Sequence, residues 1–386
     1  MPTRIATVSA SGKAPDAARA LARGARAKLG TIDPVLVLAF GSTLQPLEDL
    51  MPVLVREFPT ATCLGASTAG EFTEESDTKG SAVLFALGGD YKVFAGLGTG
   101  LRANAEGAIE RSLAGLPRQL HGYPHRTALL LLDPLSGNGE EAALLAASIL
   151  GEDVTLAGGA AGDDLQMRAT HVACGPRSMS DAVVVALIFS KKPLGVGVCH
   201  GHVPLSPPLR VTRADGATVY EIDRKPAWPT WLAQTSGRTS EPAKEDEGAY
   251  LLRYQAGLAT GDEYKIRAPL ARGPDDSIHF ACGIPTGAVL RVMDGEPEQQ
   301  VASARQAARR ALAQLGDRKV AGALVFDCIC RKLILKDDFT RAVRGIAEEL
   351  GGVPLAGFET YGEIALNAGD MSGFHNTTSV VLAFPE

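Results

Sequence analysis

From residue 35 to residue 190 the chain alternates short apolar runs with stretches of helical period, and this alternation predicts a layered α/β fold rather than a β-sandwich. VLVLAF (35–40) reads as a buried strand, QPLEDLMPVLVREF as an amphipathic helix, and ATCLGAS as the next strand. AVLFALG and YKVFAGLG follow as two neighbouring strands, with Gly88, Gly89 and Asp90 forming the turn of a hairpin. A second round runs through the helix NAEGAIERSLAGL, the strand ALLLLD, the helix GEEAALLAASIL and the segment VTLAGGAAGDD. Upstream, Ala18, Leu21, Ala25 and Leu29 form one stripe along residues 15–29, so this Arg-rich stretch reads as a surface helix rather than a transit peptide.

A third round lies near the C-terminus: the strand GALVFDCICR, the helix DFTRAVRGIAEEL and the segment VPLAGFETYGEIAL. Each round ends in a small-residue turn closed by glycine and an acid: Gly70-Glu71, Gly162-Asp163 and Gly362-Glu363. The strand GAVLRVMDG and the helix QVASARQAARRALAQL, which precede the third round, echo residues 91–116. These internal strand–helix–strand repeats predict an α/β protein of two related halves, each a mixed β-sheet with flanking helices. Between the halves, PLGVGVCHGHVPLSPPLR (193–210) is rich in Pro and Gly and reads as an extended crossing segment without regular structure. ATVYEIDRKPAW reads as a strand and turn, and TSGRTSEPAKEDEG (235–248), polar and without apolar anchors, as a mobile surface loop.

Composition narrows the function classes. A length of 386 residues exceeds one ordinary core and suggests two domains or three, and 45% apolar residues suffice to fill them. A formal charge of −6 and the lack of a basic cluster argue against nucleic acid as a partner. TALLLLDPL and DAVVVALIF are too short for the roughly 20 residues a membrane span needs, so no membrane association is expected. The six cysteines form no CxxC pair and no His-partnered spacing, which predicts neither a metal site nor a disulfide framework and fits a cytoplasmic setting.

The turn CLGASTAGEF (63–72) invites three readings. As a nucleophile elbow around Ser67 it lacks the second glycine and the helix that should follow. As a phosphate loop it lacks GxxxxGK[ST], and the acid after each turn would repel the anion. As the floor of a pocket it offers small residues for close approach, the hydroxyls of Ser67 and Thr68, and Glu71 for an ammonium group. Small residues that merely allow strand ends to pack tightly give the same pattern, but three copies strengthen the pocket reading. Arg331 could clamp a carboxylate through its planar fork while Glu363 and Asn376 meet an amine; an Arg–Glu ion pair tying two strand ends together is the structural alternative. Cys328 and Cys330 alternate with Ile329 on one strand and read as small core residues. Among seven histidines, His200 and His202 in VCHGHVP are the candidate haem ligands, and His121 and His125 read as linker residues.

LGASTAGEF, LAGGAAGDD, PPLRVTRADGATVYEIDRKPA, FDCICR and LAGFETYGEIA…FHNTT, in this order, resemble the FIST family, sensory proteins with paired N- and C-terminal FIST domains. The likeness runs from about residue 30 to the end, and implies a FIST N-terminal domain over 1–210 and a FIST C-terminal domain over 211–386. It implies ligand sensing without catalysis: the family is described as an input module for small molecules such as amino acids, often fused to kinases, chemoreceptors or cyclic-dinucleotide enzymes, with a subset associated with haem and nitric oxide. The family pattern falls on Ser67, Thr68, Gly70 and Glu71, then on Gly159, Gly162 and Asp163. In the second half it falls on Cys328, Arg331, Gly357, Tyr361, Gly362, Glu363, His375 and Asn376. With no output domain after SVVLAFPE, the expectation is a stand-alone sensor that signals through a separate protein such as a kinase or chemoreceptor. The expected ligand-binding set is Ser67, Thr68, Glu71, Asp163, Arg331, Tyr361, Glu363, His375 and Asn376. Two rival readings stand beside it: a haem gas sensor using His200 or His202, and a serine hydrolase using Ser67.

Overall fold

The computed structural model describes residues 2–137, 139–151, 153–366 and 373–386, and within them the rounds of the sequence build three sheets of one design. The first unit contains β1 (Arg4–Ser11), α1 (Ala14–Leu29), β2 (Pro34–Gly41), α2 (Leu47–Glu57), β3 (Thr62–Ser67), β4 (Glu71–Thr73), β5 (Asp77–Thr78) and β6 (Ser81–Gly88). The second contains β7 (Tyr91–Thr99), α3 (Ala105–Leu113), β8 (His125–Leu132), α4 (Gly139–Leu150), β9 (Thr155–Ala160), β10 (Val172–Cys174), β11 (Arg177–Met179) and β12 (Ala182–Ser190). The third opens with β13 (Gly195–His200) and is then interrupted by an insert. The insert carries the strands β14 to β22 between Val203 and Asp294, among them β19 (Glu263–Arg267) and β22 (Val289–Asp294), with helices α5 (Ala227–Thr235) and α6 (Glu247–Arg253). The third unit resumes with α7 (Pro297–Leu315), β23 (Val320–Cys328), α8 (Ile329–Leu335), α9 (Phe339–Glu349), β24 (Leu355–Thr360), β25 (Glu363–Leu366), β26 (Phe374–His375) and β27 (Thr378–Pro385).

The three sheets share one order: β1-β6-β2-β3, β7-β12-β8-β9 and β13-β27-β23-β24, with the last pair parallel and the others antiparallel. Each unit then gives its next hairpin to a different sheet. β4 and β5 extend the third sheet beyond β24, β10 and β11 extend the first beyond β3, and β25 and β26 extend the second beyond β9. Strand residues alternate between two buried faces. Leu36, Leu38 and Phe40 join a core shared by all three sheets, while Val37 and Ala39 meet α1 and α2 outside. Burial on both faces is why these strands read as continuous apolar runs.

Glycines set how closely the outer helices approach. In β13 a Cβ on Gly197 would lie 1.9 Å from the carbonyl oxygen of Ala307 in α7, and in β7 one on Gly98 would lie 1.8 Å from that of Ala108 in α3. The glycines of residues 195–200 therefore serve a strand–helix contact, and this part of the expected irregular crossing is a strand paired with β27. Four further expectations change. The strands flanking Gly88 to Asp90 form no hairpin, because β7 pairs with β12 in the second sheet and the glycines mark a boundary between units. The strand at FDCICR ends at Cys328, so Cys330 lies in α8 and not on the same strand face. The run 235–248 leads into helix, with a 3₁₀ turn at Lys244–Asp246 and then α6. The strand GAVLRVMDG belongs to the insert's nine-stranded sheet, and β13 takes the place equivalent to β7.

Replacing Gly197 with alanine forces β13 away from α7. We expect a loss of about 2–4 kcal/mol, seen as a lower urea midpoint with an unchanged slope.

Candidate functional site

The three small-residue turns meet one another. Gly65, Gly158 and Gly357 are equivalent by strand register, each facing the carbonyl of its parallel neighbour, Ala39, Leu130 or Val325. Four residues on, the backbone N–H of each turn donates to the adjacent turn: Ala69 to Glu359 (3.1 Å), Gly162 to Ser67 (2.8 Å) and Tyr361 to Ala160 (3.1 Å). The exchange closes on itself, and Glu359 N–H to Gly70 and Ala160 N–H to Gly362 reinforce it at 2.8 and 2.7 Å. Within this ring Thr68 donates to Glu71 and Thr360 to Glu363, the same three-residue step in units one and three. Ser81 adds a second donor to Glu71 at 3.0 Å, and Thr378 gives Glu363 its N–H and hydroxyl at 3.0 and 2.9 Å. In unit two the register puts Asp164 in this place, held by Ser42 and Thr43. Asp163 instead accepts the N–H groups of Met167, Arg168 and Ala169 and the hydroxyl of Tyr361.

The structure does not bring Arg331 and Glu363 together. Arg331 is fully buried and ties α8 to Asp327 (2.7 Å) and to Gln300 and Ser303 of α7 (2.8 Å each). Two clefts gather Tyr361, His375 and Asn376. A cleft of about 660 Å³ lies where the start of α4, the insert and the third unit converge, lined by Glu140, Glu141, Leu144, Cys282, Tyr361, Phe374 and Asn376 among others. Its neighbour, of about 790 Å³, is lined by His200, Tyr264, Lys265, Arg310 and His375. Glu140 links the two: Oε1 accepts from Lys265 Nζ at 2.8 Å and from the guanidinium of Arg267. Arg267 is 3% exposed, and its Nε has no hydrogen-bond partner among the described residues. The burial of Glu140 works against its charge, but Arg267 and Lys265 hold its carboxyl below the usual range. Asn376 donates to the carbonyl of His375 at 3.1 Å, and His375 Nε2 bonds the carbonyl of Ala365 at 3.0 Å. Sequence reading missed Glu140, Lys265 and Arg267; the available signal was EYKIR, which puts both cations on one face of a strand.

Both clefts lie between parts of the chain that match two known domains. Residues 35–225 match the FIST N domain and residues 230–366 the FIST C domain. The chain belongs to the FIST family. An uncharacterized protein of Methanocaldococcus jannaschii is 24% identical to this FIST chain over 258 residues, covering 60% of the chain and 49% of the relative. Uncharacterized proteins of Mycobacterium bovis and Mycobacterium tuberculosis are each 29% identical over 197 residues, covering 48% of the chain and 49% of each relative. The chain thus spans about half the length of the curated relatives it matches. The family is associated with sensory and signal-transduction roles.

Haem, the ligand of one rival reading, finds a poor match in this FIST chain. His202 is fully enclosed, with Nδ1 facing Gln300 at 3.2 Å and Nε2 so close to Gly295 that a Cβ there would lie 2.5 Å away. His200 does line the larger cleft, but Arg310, Glu263, Asp262, Lys265 and Gln314 share its walls, where a porphyrin face needs apolar ones. Ser67 lines a crevice of about 140 Å³ with His171 and Glu48. Its Oγ accepts the backbone N–H of His171 at 2.8 Å, a contact that orders the turn and does not activate a nucleophile. No group of His, Cys, Asp and Glu suited to a metal occurs among the described residues, and no described helix is long and apolar enough to cross a membrane.

The ring encloses acids whose burial works against their charge. Burial pushes Glu71 up to about 8 and Glu363 well above the carboxylate range. Glu359 is fully buried, neither of its oxygens has a partner among the described residues, and burial pushes its carboxyl up to about 8. In the unfolded chain such a group ionises near 4.3, so the stability it contributes is full below that pH and is lost as pH rises toward 8. Glu359→Gln should flatten the fall in urea-unfolding free energy between pH 5 and 8 by about 1.4 kcal/mol per pH unit, leaving the slope due to Glu71 and Glu363. An unchanged slope would show that Glu359 is ionised in the native state.

Proposed function

We propose that this FIST chain is a sensory protein that reversibly binds a small polar ligand, such as an amino acid, in the cleft of about 660 Å³ between α4, the insert and the third unit. The observation that carries the reading is the Lys265–Glu140–Arg267 cluster, a buried guanidinium with one fork donor unmatched. Glu140 lines the cleft with Arg267 behind it, so a ligand carboxylate that displaces Glu140 would take over the guanidinium of Arg267. Glu141, exposed at the start of α4, then stands ready for an ammonium group beside the side-chain oxygen of Asn376, which accepts the N–H of Ala268 at 3.4 Å. Leu144, Leu145 and Phe374 supply the apolar wall that such sites use for side-chain selection. Of the residues singled out in the sequence, Tyr361 and Asn376 line this cleft and His375 the next one. Ser67, Thr68, Glu71, Asp163, Arg331 and Glu363 support the ring and the third unit on which the cleft is built. Signal output would pass to a separate protein such as a kinase or chemoreceptor.

A thermal-shift screen of the twenty amino acids and their deaminated acids tests this. At a ligand concentration of about 100 Kd the native state gains about 2.7 kcal/mol, a shift of a few degrees for a chain of this size. Arg267→Gln and Asn376→Ala should abolish that shift. A ligand whose shift survives both substitutions, or the lack of a shift with every compound, would overturn the assignment.

A further inference from the structure

The second unit departs from its companions at one place. In units one and three the acid of the turn, Glu71 or Glu363, is itself the first residue of the exchanged hairpin. In unit two the hairpin begins only at Val172, and residues 164–171 are interposed. Asp164, Leu165 and Met167 in that stretch have φ of 52°, 63° and 53°, a left-handed backbone that costs a non-glycine residue about 1 kcal/mol or more. Leu165 and Met167 are 44% and 57% exposed, so core packing does not fix this conformation.

Hydrogen bonds fix it, and they lead back to the cleft. The Asp163 carboxylate accepts from Met167, Arg168 and Ala169 at 2.9, 2.6 and 3.0 Å. The Tyr361 hydroxyl donates to Asp163 at 2.6 Å and accepts the N–H of Leu165 at 2.8 Å. Tyr361 also lines the cleft of about 660 Å³. The equivalent residues of the other turns are Ala69 and Gly162, which have no side chain able to make such a link.

We infer that Tyr361 is a latch that couples occupancy of the cleft to the conformation of residues 164–170, making this loop the segment that presents the state of the cleft at the surface. The proton and a lone pair of one hydroxyl both bind the loop, so a ligand that shifts the ring breaks both bonds together. Asp163 and the Asp164 carboxylate, itself bound to Ser42 and Thr43, then hold the ends of the loop without Tyr361, and the left-handed Leu165 and Met167 can relax. This inference depends on the proposed function only for the place of input. Its test fills the cleft covalently, so the failure of amino acids to bind would leave it standing.

The probe is N-ethylmaleimide on Cys282, which lines the same cleft. The full chain carries serine at the other partly exposed cysteines, Cys174, Cys199 and Cys330, and mass spectrometry confirms a single adduct. Hydrogen–deuterium exchange of the peptide covering residues 164–170 is then followed with and without the adduct. The adduct should accelerate exchange there by about threefold or more while β8 and β12 stay unchanged. In Tyr361→Phe, which keeps the ring, basal exchange of the loop should rise up to about tenfold and no longer respond to the adduct. Asp163→Asn, which weakens the latch from the other side, should also lose the response. An adduct that leaves the loop unchanged in the Tyr361 protein, or that acts equally on the Phe variant, overturns the inference.

Discussion

The closed exchange of backbone hydrogen bonds among the three turns is the constraint on which the rest of the molecule depends. Through Ala69, Gly162 and Tyr361 each turn donates to one companion and accepts from the other, so none is satisfied alone. A buried peptide group without a partner costs about as much as a lost hydrogen bond, often 1–3 kcal/mol, which penalises any arrangement that opens the ring. The small residues of the turns follow from this. A Cβ on Gly162 would stand 2.6 Å from the nitrogen of Ala69, and one on Gly70 would stand 2.6 Å from the Glu359 carboxyl. The threonine–glutamate pairs at Thr68–Glu71 and Thr360–Glu363 close the ring's flanks, and burial works against charge on both acids.

From that ring the clefts follow in turn. Every exchanged hairpin crosses to the neighbouring unit beside the start of a helix, and such crossings shape the crevices around Ser67 and around Tyr361. One holds Ser67 and His171 in a small space, and one is bridged by the Lys332–Asp77 ion pair between α8 and β5. At the third crossing the insert adds a wall and the crevice widens into the large cleft. The family's two domains thus meet around a space that neither encloses alone.

Much of the fold was legible because its strands are buried on both faces, and an apolar run such as ALLLLD has few other uses. The repeated Gly-acid turns were legible too, although the register assigns the second acid to Asp164 rather than Asp163. What stayed hidden was partnership at a distance. Nothing local to Gly88 and Asp90 says that β6 and β7 belong to different sheets, and nothing local to Gly197 says that a helix more than a hundred residues later needs its missing side chain. The same holds for the site. Arg331 carries the right chemistry for a carboxylate clamp, but α7 supplies Gln300 and Ser303 to use it up. Arg267 sits in an unremarked polar strand and faces Glu140 only because the insert folds against α4.

The exchange of hairpins also governs how the chain can be made. β4 pairs with β24 through Phe72 and Gly357, so the first unit's hairpin leaves the ribosome long before the strand that receives it. Until then its edge is open, and the third sheet cannot be completed by its own unit. Folding of the ring therefore waits for the last part of the chain, and contacts of such sequence separation slow it further. A nascent chain of this design presents the unpaired edge of β4 until β24 has been made.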